Sequence, residues 1–186
     1  MKTLYKITLF IALMFSASVL FAQDGGEREK GIEFYEQGEY QKAVETLKTT
    51  VEANEKDRRA WLYLGMSYAK LKDKSNASKA FKKAEKTFDP EIPKPDETMV
   101  RLQITSKPRS TYTDAARANK TQGTVKLAVE FGADGKIKEV FAFQTLPDGL
   151  TENCIAAAKQ IRFTPASRNG KNISTITFIT YGFTTY

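Results

Sequence analysis

The side chains that most often perform catalysis or bind metals are scarce in this sequence. It contains no His and a single Cys, Cys154. His is the commonest general base and the main nitrogen ligand for metals, and one thiolate can form neither a metal cluster nor an internal disulfide. Structural roles account for the acidic residues Asp114, at a helix cap, and Asp134 and Asp148, in turns. The sequence therefore predicts a protein that is not an enzyme and holds no cofactor and no metal.

One glycine-rich stretch has the composition of a phosphate-binding loop. Gly132-Ala133-Asp134-Gly135 stands between two stretches of alternating apolar residues, 124–131 and 137–143, and no helix follows it as a phosphate loop requires. The Asp-Gly pair predicts instead the turn of an antiparallel hairpin. The alternation slips between Ile137 and Val140, which predicts a β-bulge in the second strand.

An apolar stripe at helical spacing follows the hairpin. Its members are Leu150, Cys154 or Ile155, Ala158 and Ile161. The stripe predicts a helix from Leu150 to Ile161 that covers one face of the hairpin, and Pro165 is expected to stop it. On that stripe the Cys154 thiol is expected to be buried and inert, the alternative being a reactive or intermolecular thiol.

The last part of the chain predicts one more strand. An Asn169-Gly170 turn is followed by β-branched and aromatic residues over 173–183. A two-stranded hairpin is marginal alone, so this strand should join it, completing a three-stranded antiparallel sheet, and leave its own outer edge open. An open edge can bind a partner chiefly through backbone groups. The candidate contacts are Ser174, Thr175, Ile176, Thr177, Phe178, Ile179 and Thr180. The alternative is that the strand is core on one face and solvated on the other, with its edge hidden by a dimer or by the repeats.

Several short motifs in this region occur in a characteristic order. They are Tyr112-x-x-x-Ala116-Arg117, Gln122-Gly123-Thr124-Val125, Asp134-Gly135-Lys136-Ile137, Gly149-Leu150 and Arg162-Phe163-x-Pro165-Ala166. Together they make residues 104–186 resemble the carboxy-terminal domain of TonB-type energy transducers. The resemblance implies a periplasmic domain that adds the "TonB box" peptide of an outer-membrane receptor to its sheet edge by β-augmentation.

Three departures from that family accompany the resemblance. The family usually has Tyr-Pro where this chain has Tyr112-Thr113. Its membrane helix carries a functional His, which this chain lacks throughout, and a long Pro-rich spacer is also missing. The alternative to TonB-linked uptake is therefore a periplasmic scaffold that takes no part in energy transduction.

Residues 27–89 repeat at a period of 34. The matched pairs are Gly31 and Gly65, Phe34 and Tyr68, Ala43 and Ala77, and Leu47 and Phe81. The second copy resembles the tetratricopeptide repeat at Trp61, Leu64, Gly65, Tyr68, Ala77, Phe81 and Ala84. Gly65 and Ala77 allow paired helices to approach closely, and the larger residues fill the gap. Two repeats leave an apolar face that the segment 88–102, the terminal domain or a second copy of the protein must cover.

The amino terminus has the pattern of a secretory signal. Lys2 and Lys6 precede an apolar run over 7–21, and Ala22 follows at the expected cleavage point. The run is shorter than the roughly 20 residues that span a bilayer comfortably, so cleavage and release into the periplasm are expected. The alternative is an uncleaved anchor in the inner membrane, and membrane contact is expected only in that case.

The expected organisation is a signal peptide over 1–22, two helical repeats over 23–88, a Pro-rich linker over 89–98 and a TonB-like domain over 99–186. The fold class is α+β, with all-α repeats first and then a small domain in which helices pack on a three-stranded antiparallel sheet. Residues 99–104 could add a small edge strand.

Charge is distributed unevenly along the repeats. Residues 23–57 hold 5 Lys and Arg against 10 Asp and Glu, whereas residues 58–95 hold 10 against 4. This polarity suggests head-to-tail contact or a polar partner groove, although the lysines can equally form a solvated helix face. The expected partners are proteins, namely a receptor segment at the strand edge and a peptide in the repeat groove, with homodimerisation possible and nucleic acid not expected.

Overall fold

The computed structural model describes residues 26–88 and 98–184. The predicted signal segment 1–22 and all but the last residue of the predicted linker lie outside these ranges. Within them, no helix combines the length and apolar character needed to cross a bilayer.

The amino-terminal part is a pair of helical hairpins, as the 34-residue period predicts. The helices are α1 (residues 26–36), α2 (Tyr40–Ala53), α3 (Arg58–Lys70) and α4 (Lys74–Lys86). The second hairpin has a capping aspartate before each helix. The Asp57 carboxylate accepts the Ala60 N–H at 2.9 Å, and the Asp73 carboxylate accepts the Asn76 N–H at 3.0 Å. Each cap satisfies one backbone donor that a helix start leaves unpaired.

Glycines at the repeated position let the helices of each hairpin pack closely. A Cβ on Gly65 would lie 2.7 Å from the Phe81 ring, and a Cβ on Gly31 would lie 2.7 Å from the Leu47 side chain. No side chain can approach so closely without a shift, so glycine is required for this packing. The same contact therefore recurs in both repeats.

The carboxy-terminal part is rich in strands and also contains two helices. In chain order the elements are β1 (Met99–Val100), β2 (Gln103–Ser106), α5 (Asp114–Ala118), β3 (Gly123–Phe131), β4 (Ile137–Gln144), α6 (Leu150–Ala158), β5 (Arg162–Thr164), β6 (Ala166–Arg168), β7 (Lys171–Ile173) and β8 (Thr175–Phe183). The main sheet has the order β4-β3-β8 and is antiparallel throughout. The three-stranded sheet and the α+β class are confirmed. The expected bulge is also present, since the β3–β4 register shifts between Glu130 and Phe131, whose partners are Glu139 and Ile137.

The prediction of one continuous strand over 173–183 was wrong. The chain breaks at Ser174, so that β7 forms a hairpin with β6 while β8 alone joins the main sheet. The Asn169-Gly170 turn lies in that hairpin, and both of its residues have positive φ, 50° and 75°. The expected small edge strand in residues 99–104 is present as β1, which lies at the edge of the small β1-β6-β7 sheet, while β2 pairs with β5.

The predicted end of the terminal helix was also wrong. Helix α6 ends at Ala158, so Pro165 does not stop it. The chain leaves the helix at Lys159 and extends into β5, whose β-branched and aromatic residues pair with β2. Asp114 is the first residue of α5, and Thr113 is its cap, its hydroxyl accepting the Ala116 N–H at 3.0 Å. Thr113 thus orders the helix start at the position where the family that this region resembles usually has proline.

Layers of helix cover both faces of the main sheet. The residues of β3 alternate, with Val125, Leu127, Val129 and Phe131 packed on the side of α6 and Ala128 packed among the repeat helices. The terminal domain thus supplies the cover that the two repeats need. Of the three candidates for this cover named above, the described residues use the terminal domain.

Candidate protein-binding surfaces

The outer edge of β8 presents backbone groups of alternate residues. The Thr180 carbonyl accepts a hydrogen bond from Lys107 Nζ at 2.8 Å, and the Ser174 carbonyl accepts one from the Tyr63 hydroxyl at 3.4 Å. Both donors lie outside the sheet. Because main-chain direction alternates along a strand, the backbone groups of Ile176 and Phe178 also point away from β3.

The other edge of the same sheet is irregular. The pairing of β4 with β3 shifts register twice, between Lys126 and Leu127 and between Glu130 and Phe131. By contrast, β8 pairs with β3 in one uninterrupted register of nine residue pairs, from Gly123↔Phe183 to Phe131↔Thr175. Bulges hinder the addition of a further strand, whereas a long regular edge favours it. No strand in 26–88 or 98–184 pairs with the outer edge of β8.

The two ends of this edge are partly occupied by the chain itself. Residues 107–110 lie beside Thr180–Phe183 and enclose a cleft of about 360 Å³ with them. The ammonium of Lys107 also lies 4.8 Å from the centre of the Tyr181 ring. At the other end, Tyr63 of α3 reaches Ser174. The middle of the edge, residues 176–178, is therefore the part whose outward carbonyls have no such side-chain donor among the described residues.

The predicted edge residues differ in what they can offer. Six of the seven lie in β8, and Ser174 precedes it. The backbone N–H and C=O groups of alternate residues point away from β3, namely those of Ile176, Phe178 and Thr180. The backbone groups of the residues between them, Thr175, Thr177 and Ile179, point toward β3. Of the outward set, only Thr180 also has an exposed side chain.

An aromatic cluster joins the repeats to the sheet. The ring of Phe81 in α4 lies 5.5 Å from that of Phe141, 5.8 Å from that of Phe143 and 6.3 Å from that of Phe178. The guanidinium of Arg58 stands 5.4 Å from the centre of the Phe178 ring. Such ring pairs and cation–π contacts add to the stabilisation from apolar burial. The two modules therefore share one core on this side of the sheet.

Polar contacts surround that cluster. The Tyr35 hydroxyl donates to Glu130 Oε2 at 2.6 Å, where Glu130 is only 8% exposed. At the rim, Lys70 pairs with Glu139 at 2.9 Å, and Lys126 pairs with Glu85 at 2.6 Å. Burial raises the pKa of the Glu130 carboxyl above its ordinary value of 4.5, although the Tyr35 hydrogen bond and the charge of Lys70 oppose the rise. The ionised carboxylate of Glu130 is thus less favourable in the folded protein than in water.

This arrangement predicts a pH dependence that Glu130→Gln should remove. The folded-state pKa of Glu130 is raised, so its favourable contribution is complete below pH 4.5 and is lost as pH rises through the folded-state value. The free energy of unfolding should therefore fall more steeply with rising pH in the native chain than in the Gln variant, whose amide oxygen still accepts from Tyr35. Urea unfolding between pH 4.5 and 8, followed by Trp61 fluorescence, measures this. Glu152→Gln, an exposed change on α6, is the control, and parallel pH profiles for the native chain and the Glu130 variant would contradict the prediction.

A cleft of about 560 Å³ opens where α1 and α3 meet the sheet. Tyr35, Tyr40 and Lys70 line it from the repeats, and Lys138 and Lys171 line it from the terminal domain. In the repeats, Tyr35, Tyr63 and Lys70 all contact the terminal domain. That domain therefore covers much of the helical surface expected to form a peptide groove, and this cleft is the part that stays open.

The residues of the tetratricopeptide pattern lie in and around the second hairpin. Leu64, Ala77, Phe81 and Ala84 are at most 2% exposed, while Trp61 and Tyr68 are partly exposed, with the Trp61 indole donating to the Glu55 carbonyl at 2.9 Å. Sequence reasoning missed the contact with the sheet through Tyr35, Glu130 and Arg58. A signal for it existed in Phe141 and Phe143, which alternate with Val140 and Ala142 and make both faces of β4 apolar.

The described residues contain no group of three or more His, Cys, Asp or Glu side chains that could hold a metal ion. Cys154 is fully buried, with its sulfur 3.3 Å from Ser110 Oγ. Burial raises the pKa of the Cys154 thiol, which disfavours the reactive thiolate. The surfaces described above are thus suited to binding by shape and hydrogen bonding.

Comparison with known families gives two matches in the expected order. Residues 28–91 match the family described as the tetratricopeptide repeat, and residues 108–185 match the family described as the Gram-negative bacterial TonB protein C-terminal. Both are non-catalytic families whose members mediate contacts between proteins. No curated protein matches the chain. The resemblances drawn from the sequence motifs are confirmed for both modules.

Proposed function

We propose that this chain is a non-enzymatic docking protein of the periplasm, of the TonB type. The outer edge of β8 accepts an extended segment of an outer-membrane receptor in TonB-linked uptake, and the repeats recruit a second protein. The single observation that carries the proposal is the uninterrupted nine-pair register of β8, which leaves its outward backbone groups in a regular row. The match of residues 108–185 to the TonB C-terminal family supports the same edge.

The open part of the edge sets the kind of partner. The faces of the sheet are covered by α6 and by the repeats, so an added chain can reach only the backbone groups along the edge. A strand added there gains affinity from main-chain hydrogen bonds, which are nearly independent of sequence. Its side chains would meet the residues that flank the edge, with Lys107 at one end and Tyr63 at the other. A short extended segment with few bulky residues fits this space.

Thr180→Pro tests the edge with little effect on folding. The Thr180 N–H points outward and its side chain is exposed, so proline there removes a donor for the partner without removing a bond to β3. The probe is a panel of synthetic peptides from the amino-terminal segments of the outer-membrane receptors of the source bacterium, with binding measured by fluorescence anisotropy. We expect the proline variant to bind the tightest peptide about fivefold more weakly, since one backbone hydrogen bond is worth about 1 kcal/mol.

Thr180→Val is the matched control, because valine keeps the backbone N–H and the β-branched shape. It should bind within about twofold of the native chain, and both variants should melt within a few degrees of it. Equal binding by the native chain and the proline variant would exclude docking along the part of this edge that reaches Thr180. Failure of the whole panel to bind would count against the receptor assignment.

A second candidate is a scaffold that binds a short peptide in the cleft between the modules. It is favoured by the 560 Å³ space that Tyr35, Tyr40 and Lys171 help to line. A peptide that loses affinity with Lys171→Glu but not with Thr180→Pro would support the scaffold. The reverse pattern would support docking at the strand edge.

A further inference from the structure

Helix α4 carries a row of lysines directly opposite its buried side. Lys79, Lys82, Lys83 and Lys86 recur at the spacings of three, four and seven residues that place side chains on one helix face. All four are exposed, whereas Ala77, Ala80, Phe81 and Ala84 face the core. We call the four lysines the α4 stripe.

Little in the described part of the chain neutralises the α4 stripe: Asp73, at the start of the helix, interacts with the charge of Lys79 but forms no ion pair with it. None of its four ammonium groups forms an ion pair with a residue in 26–88 or 98–184. The only acidic residue of α4 is Glu85, and its carboxylate pairs with Lys126 at 2.6 Å. The helix dipole accounts for basic residues in the last turn, where Lys83 and Lys86 lie, but not for Lys79 and Lys82. The charge therefore remains available to a partner.

An exposed aromatic ring stands at the end of this stripe. Phe88 follows α4 by two residues and is 89% exposed, the highest exposure among the large apolar residues of the described chain. A single ring beside several cations gives too little apolar area for the core of a protein interface. It does suit the boundary between lipid headgroups and acyl chains, where aromatic residues insert while lysines meet the headgroups.

We propose that the α4 stripe and Phe88 dock this protein on an anionic phospholipid surface. Clusters of four or more Lys and Arg on a helix have this property, and a lipid surface is broad enough to meet all four lysines without shape complementarity. A second copy is a poorer fit, because the exposed face of α2 alternates in sign through Lys42, Glu45, Lys48 and Glu52. This contact is independent of residues 1–25 and of the β8 edge.

Vesicle co-sedimentation with the full-length chain tests the proposal. The vesicles are phosphatidylcholine alone or phosphatidylcholine with three parts in ten phosphatidylglycerol, at 50 mM and 300 mM NaCl. Any binding through the apolar amino-terminal run should occur on both kinds of vesicle, so the ratio of the two partition coefficients isolates the charge effect. We expect a ratio of about tenfold or more at low salt that falls strongly at high salt.

Two charge-reversal variants with the same net charge separate the stripe from general attraction. The first variant replaces the four lysines of the α4 stripe, Lys79, Lys82, Lys83 and Lys86, by Glu. It should bring the ratio of the partition coefficients on anionic and neutral vesicles near one. Lys56, Lys120, Lys136 and Lys159, all exposed, become Glu in the control, which should keep most of the ratio. Phe88→Ser should weaken binding severalfold while leaving its salt dependence unchanged. Circular dichroism melting checks that each variant is folded.

Three results would overturn the proposal. The first is a native ratio near one, and the second is an equal loss in both charge-reversal variants. The third is a salt-sensitive dimer, detected by sedimentation velocity without vesicles, that only the first variant abolishes, because the stripe would then serve a second copy of the chain. If receptor peptides failed to bind at the β8 edge, vesicle binding through the α4 stripe would still be expected.

Discussion

Phe81→Ala is expected to destabilise both modules at once. The Phe81 ring is fully buried, fills the space left by Gly65, and contacts Phe141, Phe143 and Phe178 of the terminal sheet. Truncating a buried Phe costs about 3 to 5 kcal/mol, and a site surrounded by other rings has little freedom to collapse. This is a large part of the stability of a small protein.

The measurement is urea unfolding followed by two probes. Fluorescence of Trp61, the only tryptophan, reports the repeats, and hydrogen exchange of β8 amides reports the sheet. Both should move to lower urea together in the variant. Phe88→Ala, which removes a ring of the same size from an exposed position, is the control and should leave both transitions in place. A shift to lower urea that is seen by Trp61 fluorescence but not by hydrogen exchange of β8 would show that the two modules are stable independently.

Thr177→Pro is expected to have a comparable effect through the backbone. Thr177 lies opposite Val129 near the middle of β8, and its backbone N–H points toward β3. Proline removes that donor, leaves a carbonyl of the central strand unpaired and introduces a steric clash, at a cost on the order of 3 kcal/mol. The domain should melt well below the native chain or fail to fold.

The contrast with position 180 makes this prediction specific. Thr180→Pro differs from it by three residues along the same strand, yet should change the melting temperature by only a few degrees because its N–H points outward. Thermal melting by circular dichroism compares the two directly. Equal destabilisation by the two prolines would mean that the assigned directions of the backbone groups are wrong.

Local patterns in the sequence were sufficient to predict most of the individual elements. The alternation around Val125 to Phe131, the Asp134-Gly135 turn and the bulge near Lys138 each depend on neighbouring residues, and all three are present. The 34-residue period likewise predicted the helical hairpins, because Gly65 and Phe81 meet within one repeat. Such features need no knowledge of distant parts of the chain.

The predictions that were wrong depend on pairing between residues that are distant in sequence. Ser174 lies within an apolar, β-branched run, and nothing local shows that β7 pairs with β6 while β8 crosses to β3. Pro165 is a strong helix breaker, but α6 ends before it because β5 pairs with β2. Local propensity is overridden by tertiary pairing in both cases.

The residues whose backbone groups lie on the outer edge of β8 could be predicted from the sequence only in part, for the same reason. Alternation in the sequence gives the faces of a strand, but the direction of its backbone groups depends on which neighbour it pairs with. The distinction between Thr177 and Thr180 therefore needed the β3–β8 register. Similarly, Glu130 reads as a solvent-facing residue until Tyr35 of the repeats is found bonded to it.

The shared core has a consequence for the order in which the chain folds. Tyr35 and Glu130 are 95 residues apart, and the Phe81 ring meets Phe178 of the last strand. The repeats emerge first during synthesis, yet the surface that covers them is complete only when β8 has followed. Contacts between such distant residues slow folding, because a long loop must close before they form. The helical hairpins must therefore keep an apolar surface exposed for nearly the whole of synthesis. During that time a holding chaperone would protect them from aggregation.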